Sequence, residues 1–231
     1  LDSYLIASNC GGTQYYIPRL INMKRNRHWD GGLHEYVSAD DAGTRDILPG
    51  IEYTYICDGA RAKDPDKYKK DVKVLLDVLE KEPNNARYVF YLAQSYASAN
   101  DPKNALENYK RRVEMGGWPE EVFWSLLQIA NLQDRLGYDN KEVEASYVKA
   151  LKYRPTRPEP YYYLTKRART KEDFKKGYKV AKLGLVLLPS NDTLFLEKWT
   201  YDAIVFECSI CAYYVNEFEE SLKLSDRLLA K

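Results

Sequence analysis

From about Asp64 to Lys231 the apolar positions recur at helical spacing, and regular stops cut the pattern. A leading amphipathic run covers roughly Asp64 to Glu82 and ends before Pro83. Pro155 and Pro189 stand 34 residues apart, and Pro83 to Pro155 is 72, or two periods near 36. One period of 34 beyond Pro83 falls on Gly117, in MGGWPEE. Between the stops the residue types repeat too. Leu92-Ala93, Tyr96, Ala105 and Tyr109 form one unit. Leu126-Leu127, 34 residues on from Leu92, opens the next, which closes with Tyr147, Ala150 and Pro155 and is lengthened near Gly137-Tyr138-Asp139-Asn140. A third runs Leu164, Ala168, Gly177, Ala181, Gly184, Pro189; a fourth, degenerate, runs Cys208, Ala212, Ser221, Leu224, Leu228. Asn100-Asp101-Pro102 reads as a turn inside the first unit, with Asp101 a helix cap and Pro102 a first-turn proline.

A period of this length, with Leu and a small residue, an aromatic, Ala, an aromatic and Pro in that order, resembles the tetratricopeptide repeat. The resemblance implies a mainly α fold over residues 63–231, an α-solenoid of antiparallel helix pairs. Small residues at Ala93, Ala105, Gly177 and Ala181 let the helices of a pair approach, and large ones fill the space between pairs. One pair cannot bury its apolar face alone, so several must stack.

Residues 1–62 break this pattern. Tyr15 to Met23 is aromatic and β-branched, with alternation after Pro18, and Ile51 to Cys57 alternates more clearly. Both predict strands, with Gly31-Gly32 and a loop from Ser38 to Gly50 between them. So few strands make a poor independent domain. Residues 1–62 therefore read as the end of a larger α/β domain, a small β-containing remnant ahead of the repeats.

Composition narrows the setting. The 35 Lys and Arg nearly cancel the 34 Asp and Glu, and a net charge of +1 gives no general field for nucleic acid. No run of 18 apolar residues is present, so no transmembrane segment is expected. Leu1-Asp2-Ser3-Tyr4 lacks the basic start and apolar stretch of a signal peptide, and without an initiator Met the chain is expected to be a fragment. The four cysteines are scattered, which fits a reducing cytoplasm. Tyrosine is in excess, 21 against 6 phenylalanines; a ring with a polar tip suits half-buried seams and grooves.

The stretch Arg19 to Val37, RLINMKRNRHWDGGLHEYV, resembles the closing segment of the catalytic domain of family 2 glycosyltransferases. Arg19-Leu20, Trp29, Gly31 or Gly32 and His34-Glu35 carry the likeness, and the following junction and repeats occur in the same order in bacterial and viral-type members. The resemblance implies the C-terminal portion of a nucleotide-sugar-dependent glycosyltransferase, the repeats acting as an accessory domain for a glycan or protein acceptor. A divalent Mn or Mg ion and the nucleotide-sugar would serve the longer enzyme. The Asp-x-Asp motif of the family has no counterpart here, since Asp40-Asp41 follows the His-Glu pair, so this segment alone should bind no cofactor and be inactive. The alternative is a non-enzymatic repeat scaffold with a peptide partner in its groove.

On that resemblance His34 would complete the metal coordination and Glu35 would take the acceptor proton. Arg19, Arg61 and Lys63 would approach the diphosphate; read by themselves they are solvated charges. Trp29 fits core packing better than stacking on a sugar. Tyr161, Tyr162 and Tyr163 fit either a packed seam or a groove for an extended peptide or glycan, as do Tyr213-Tyr214. Cys208-x-x-Cys211 is half of a zinc site on a helix, and packing explains it better. Lys175, Lys176 and Lys179 read as a solvated face.

Overall fold

The computed structural model describes residues 2–10, 13–24, 26–31, 33, 35–39, 44–54, 59–60 and 63–230. The described residues are mainly helical, with a small amount of sheet near the start. The chain divides into two compact units: Leu1–Ser125 with Thr193–Phe195, and Leu126–Asp192 with Leu196–Lys231.

In the first unit, β1 (Ser3–Cys10) is the central strand of a three-stranded sheet. β2 (Thr13–Ile21) pairs with it antiparallel, from Cys10↔Thr13 to Ser3↔Ile21, and β5 (Arg45–Thr54) pairs with it in parallel. β3 (Arg27–Asp30) and β4 (Tyr36–Ala39) form a separate antiparallel pair with Trp29 opposite Val37. The loop expected from Ser38 to Gly50 thus contains the end of β4 and more than half of β5. Pro49 and Gly50 are strong turn signals, but here they sit in a bulge of an outer strand, where the register slips between Leu5 and Ala7. The strand expected over Tyr15–Met23 is β2, and that over Ile51–Cys57 is β5 as far as Thr54; Tyr55 to Cys57 lie outside the described residues. β1 has no place in the sequence reading.

The helices of this unit follow the punctuation. α1 (Lys67–Lys81) stops before Pro83. In α2 (Ala86–Ser98) the Asn85 side chain caps the Tyr88 N–H at 3.2 Å. Asp101 caps the Asn104 N–H of α3 (Pro102–Met115) at 3.2 Å, with Pro102 in the first turn as expected. Leu75 and Leu79 of α1 pack on Tyr88, Val89 and Leu92 of α2, with Leu33 against the cluster. α4 (Pro119–Arg135) begins in this unit; its buried Glu121 accepts two bonds from the guanidinium of Arg112, which is 1% exposed. Thr193–Phe195 also belongs here. Glu120 accepts from the N–H groups of Thr193 and Leu194 at 2.8 and 2.6 Å, the Tyr16 N–H donates to the Thr193 carbonyl, and Phe195 packs on Phe90 and Trp124.

The second unit holds the rest of α4 and five further helices: α5 (Asn140–Tyr153), α6 (Glu159–Thr170), α7 (Phe174–Leu185), α8 (Trp199–Tyr214) and α9 (Phe218–Leu229). α6 and α7 pair, as do α8 and α9, and both α6 and α7 also pack on α8. The small residues act as the repeat pattern requires. A Cβ on Gly177 would meet Cys211 Sγ at 2.8 Å, and one on Gly184 would meet the Tyr161 Cβ at 3.0 Å. Cys208 and Cys211 are fully buried in this packing, and burial pushes their thiols up to about 12 and about 11. Among the described residues no helix is long and apolar enough to cross a membrane.

Candidate functional site

α4, α5 and α6 line an open cavity of about 530 Å³ in the second unit. α4 supplies Asn131, Asp134 and Arg135, and α5 supplies Tyr147. α6 supplies Tyr163, Lys166, Arg167 and Thr170, which the three- and four-residue steps of a helix place on one face. The rings of Tyr147 and Tyr163 stack with centroids 5.2 Å apart and planes 16° apart. The Tyr147 hydroxyl donates to Asn131 Oδ1 at 2.7 Å, which fixes the stack against α4. Burial raises both phenols well above the usual tyrosine range, so they stay protonated and act as donors.

The charge on these walls is one-sided. Arg135, Lys166 and Arg167 face a single carboxylate, Asp134, and that carboxylate is already paired with Arg167. Arg167 also donates to Asn140 at 2.8 Å, while its buried Nε has no hydrogen-bond partner among the described residues. A flat aromatic wall beside cations and amide groups can hold an extended segment through its backbone and its anionic groups.

A buried ion cluster adjoins the Tyr163 side of α6. Arg157 and Glu159 are both 0% exposed, and the guanidinium spans both Glu159 oxygens and Asp192 Oδ2. Arg154 pairs with the other Asp192 oxygen. Glu197, just ahead of α8, donates its backbone N–H to Glu159 at 3.3 Å, and the neighbouring Tyr163 phenol favours the charged form of its carboxyl. Burial, then the neighbouring Glu159, push the Glu197 carboxyl up to about 7.

The residues singled out in the sequence fall in separate places. Tyr161 and Tyr162 are buried in helix packing: the Tyr161 hydroxyl donates to the Pro155 carbonyl at 3.0 Å, and Tyr162 meets Trp199 edge-on at 5.0 Å. Tyr163 alone of the three lines the cavity. Arg19, at the exposed end of β2, lies over the Tyr53 ring at 4.6 Å. Glu35 is exposed in the connection between β3 and β4, and Lys63 is exposed in the turn before α1. His34 and Arg61 lie outside the described residues. Among the described residues no contact joins Arg19, Glu35 and Lys63, and no three His, Cys, Asp or Glu side chains are grouped to hold a metal ion. Trp29, expected in a core, is 69% exposed on β3, because a two-stranded pair offers it no second layer. Tyr213 and Tyr214 are also exposed, with Tyr214 stacked on Phe174. The sequence reading missed the cations of the cavity and Glu197. Lys166, Arg167 and Thr170 carry the signal, following Tyr163 at helical spacing.

No protein-family model matches the sequence, and no curated protein does either. Several solved repeat proteins are similar in structure. MamA from Desulfovibrio magneticus RS-1 superposes with a TM-score of 0.54 at 10% identity, over 71% of this chain and 85% of that one. A Podosopora anserina protein of nearly identical TPR-like kinesin light chain repeats gives 0.51 at 13% identity, over 71% and 86%. YrrB, a TPR protein with an unusual peptide-binding site, gives 0.51 at 9% identity, over 71% and 78%. None of the three is described as a glycosyltransferase. At such identities the likeness is one of fold, and the helical part of this chain is a tetratricopeptide-type α-solenoid.

Proposed function

We propose that the chain is a binding module whose α4–α6 groove holds an extended, acidic protein segment. The observation that supports this most directly is the wall chemistry: three cations and one already paired carboxylate around a stacked tyrosine pair. The printed description of YrrB, a peptide-binding repeat protein, agrees with such a use of the fold. The test is fluorescence anisotropy with a labelled dodecapeptide of alternating Glu and Leu, and its Lys and Leu counterpart as control. The acidic peptide should bind and the basic one should not. Lys166→Glu should weaken binding by roughly tenfold or more, the scale of a lost charge-assisted contact. Equal binding of both peptides, or no effect of Lys166→Glu, would refute the reading.

A second reading places the same module in a longer enzyme. Residues 1–62 would then end the catalytic domain of a cytoplasmic, nucleotide-sugar-dependent glycosyltransferase, and residues 63–231 would present the glycan or protein acceptor. Its support is the order along the chain: Arg19-Leu20 on β2, Trp29 on β3, Glu35 after it, and then the helices. In that enzyme a divalent ion would stabilise the leaving diphosphate. Arg19, Arg61 and Lys63 would lie near the diphosphate, with His34 toward the metal and Glu35 toward the acceptor. In the longer reading frame, Glu35→Ala should then abolish sugar transfer and leave the melt unchanged. Wild-type transfer by that variant would remove Glu35 from the reaction.

A further inference from the structure

The cluster beside the groove is out of balance. Arg154 and Arg157 bring two positive charges, whereas Glu159, Asp192 and Glu197 bring three carboxyl groups. Both guanidiniums are already committed, Arg157 to Glu159 and Asp192, and Arg154 to Asp192. Glu197 is the carboxyl left over. It forms no ion pair among the described residues, and its Oε2 is buried without a hydrogen-bond partner. An uncompensated buried carboxylate is costly, and taking up a proton removes that cost.

The groups facing Glu197 come from each neighbouring element. α6 contributes Glu159, which repels its charge, and Tyr163, whose phenol favours it. Arg157, ahead of α6, attracts it but is shared. α5 contributes the neutral phenol of Tyr147; Arg154, just beyond its end, joins the cluster through Asp192. Asp192 and, from α8, Tyr201 complete the surroundings of the Arg157–Glu159 pair. Only Tyr163 and Tyr147 in this set also line the groove.

We propose that Glu197 is a proton-operated control on the groove, which in its ionised form engages the Tyr163 hydroxyl, adds a negative charge behind the groove wall, and weakens the hold on an acidic segment. This rests on the groove reading above. The carboxyl pushed up to about 7 places the change within the ordinary range of cellular pH. Loss of the proton draws the Tyr163 hydroxyl toward Glu197, because a phenol donates better to a carboxylate than to a carboxylic acid. It also places net negative charge beside a site whose ligand is negative. Protonation restores two charges against two.

Two readouts test this on the full chain. With ¹³C-labelled tyrosine, the ring signals of Tyr163 and Tyr147 should titrate with a midpoint near 7 in the wild type and stay flat in Glu197→Gln. In Tyr163→Phe the midpoint, followed on Tyr147, should rise, because a donor that favours the charged form is gone. The acidic dodecapeptide stays ionised above about pH 5.5, and its affinity should fall on the order of tenfold between about pH 6 and 8.5, the scale of one site-to-site coupling. In Glu197→Gln its affinity should not change with pH. Flat ring signals in the wild type, or the same titration in Glu197→Gln, would overturn the proposal. So would rings that titrate while the peptide binds equally at every pH. If the rings titrate and the variant abolishes it, yet the peptide binds at no pH, the groove reading fails and the proton site at Glu197 stands.

Discussion

Gly177 gives the sharpest test of the helix packing. α7 meets α6 and α8 at this residue, and an added Cβ would lie 2.8 Å from Cys211 Sγ but at ordinary contact distance, 3.5 and 3.6 Å, from Ala168 Cβ and the Thr165 carbonyl. Two effects of Gly177→Ala therefore oppose each other. Alanine favours the helix by about 1 kcal/mol over glycine. A methyl group forced onto a fully buried sulfur costs about 1–3 kcal/mol, since a close-packed interior has little room to give. The net expectation is a loss of roughly 1 kcal/mol. Cys211→Ala alone removes the sulfur and should also cost on the order of 1 kcal/mol for the space left behind. In the double variant the new methyl occupies the space the sulfur vacated. The two losses should then fail to add, with a coupling of about 1–2 kcal/mol in favour of the double variant. Urea denaturation followed by far-ultraviolet circular dichroism measures all four proteins. If Gly177→Ala is as stable as the wild type and the double variant is simply additive, the close approach of α7 and α8 is wrong.

Leu92→Ala should lower stability by roughly 2–5 kcal/mol, the range for truncating a buried leucine, since Leu92 is 2% exposed among Leu75, Leu79 and Val89; a denaturant melt showing less than about 0.5 kcal/mol of change would place the repeat register elsewhere. Glu197 should make stability depend on pH: its folded-state value lies above the ordinary 4.5, so the folded protein holds the proton more tightly and stability falls as pH rises from about 4.5 to about 7. The rise in pKa corresponds to about 3 kcal/mol at most, and thermal melts at either end of that window should show the fall in the wild type but not in Glu197→Gln.

Much of the helical part was legible because its signals are local. Asp101 before Pro102 is a cap and first-turn pair set by adjacent residues, and Pro83 and Pro155 follow directly on the C-caps of α1 and α5. The spacing of Leu92, Leu126 and the small residues reflected a packing rule that each unit obeys with its neighbour. β1 was missed although Gly11-Gly12 separates its residues from β2, the spacing of a two-residue hairpin. Its alternation is weak because both faces of the strand are covered, with Ile6, Ala7 and Ser8 buried in succession. The repeat pattern assigns no role to Phe195, yet it packs with Phe90 and Trp124 at a positive φ of 47°, a contact that no spacing announces.

The sequence by itself determined the helix pairs and the small residues at their contacts, since a period of 34 residues is written in the chain and each helix is stabilised by residues near it in sequence. It also marked a tyrosine run as a candidate groove. Only the tertiary structure decided which tyrosine it is: successive residues of a helix point about 100° apart, so Tyr161 and Tyr162 turn into the packing while Tyr163 meets Tyr147 from another helix. Nor does the sequence show that Glu197 lies beside Glu159, 38 residues earlier, with too few cations between them. Charge balance in a buried cluster is a property of three-dimensional neighbours, and a carboxyl group at an ordinary position in the sequence acquires an unusual proton affinity only when folding removes water and brings another carboxylate beside it.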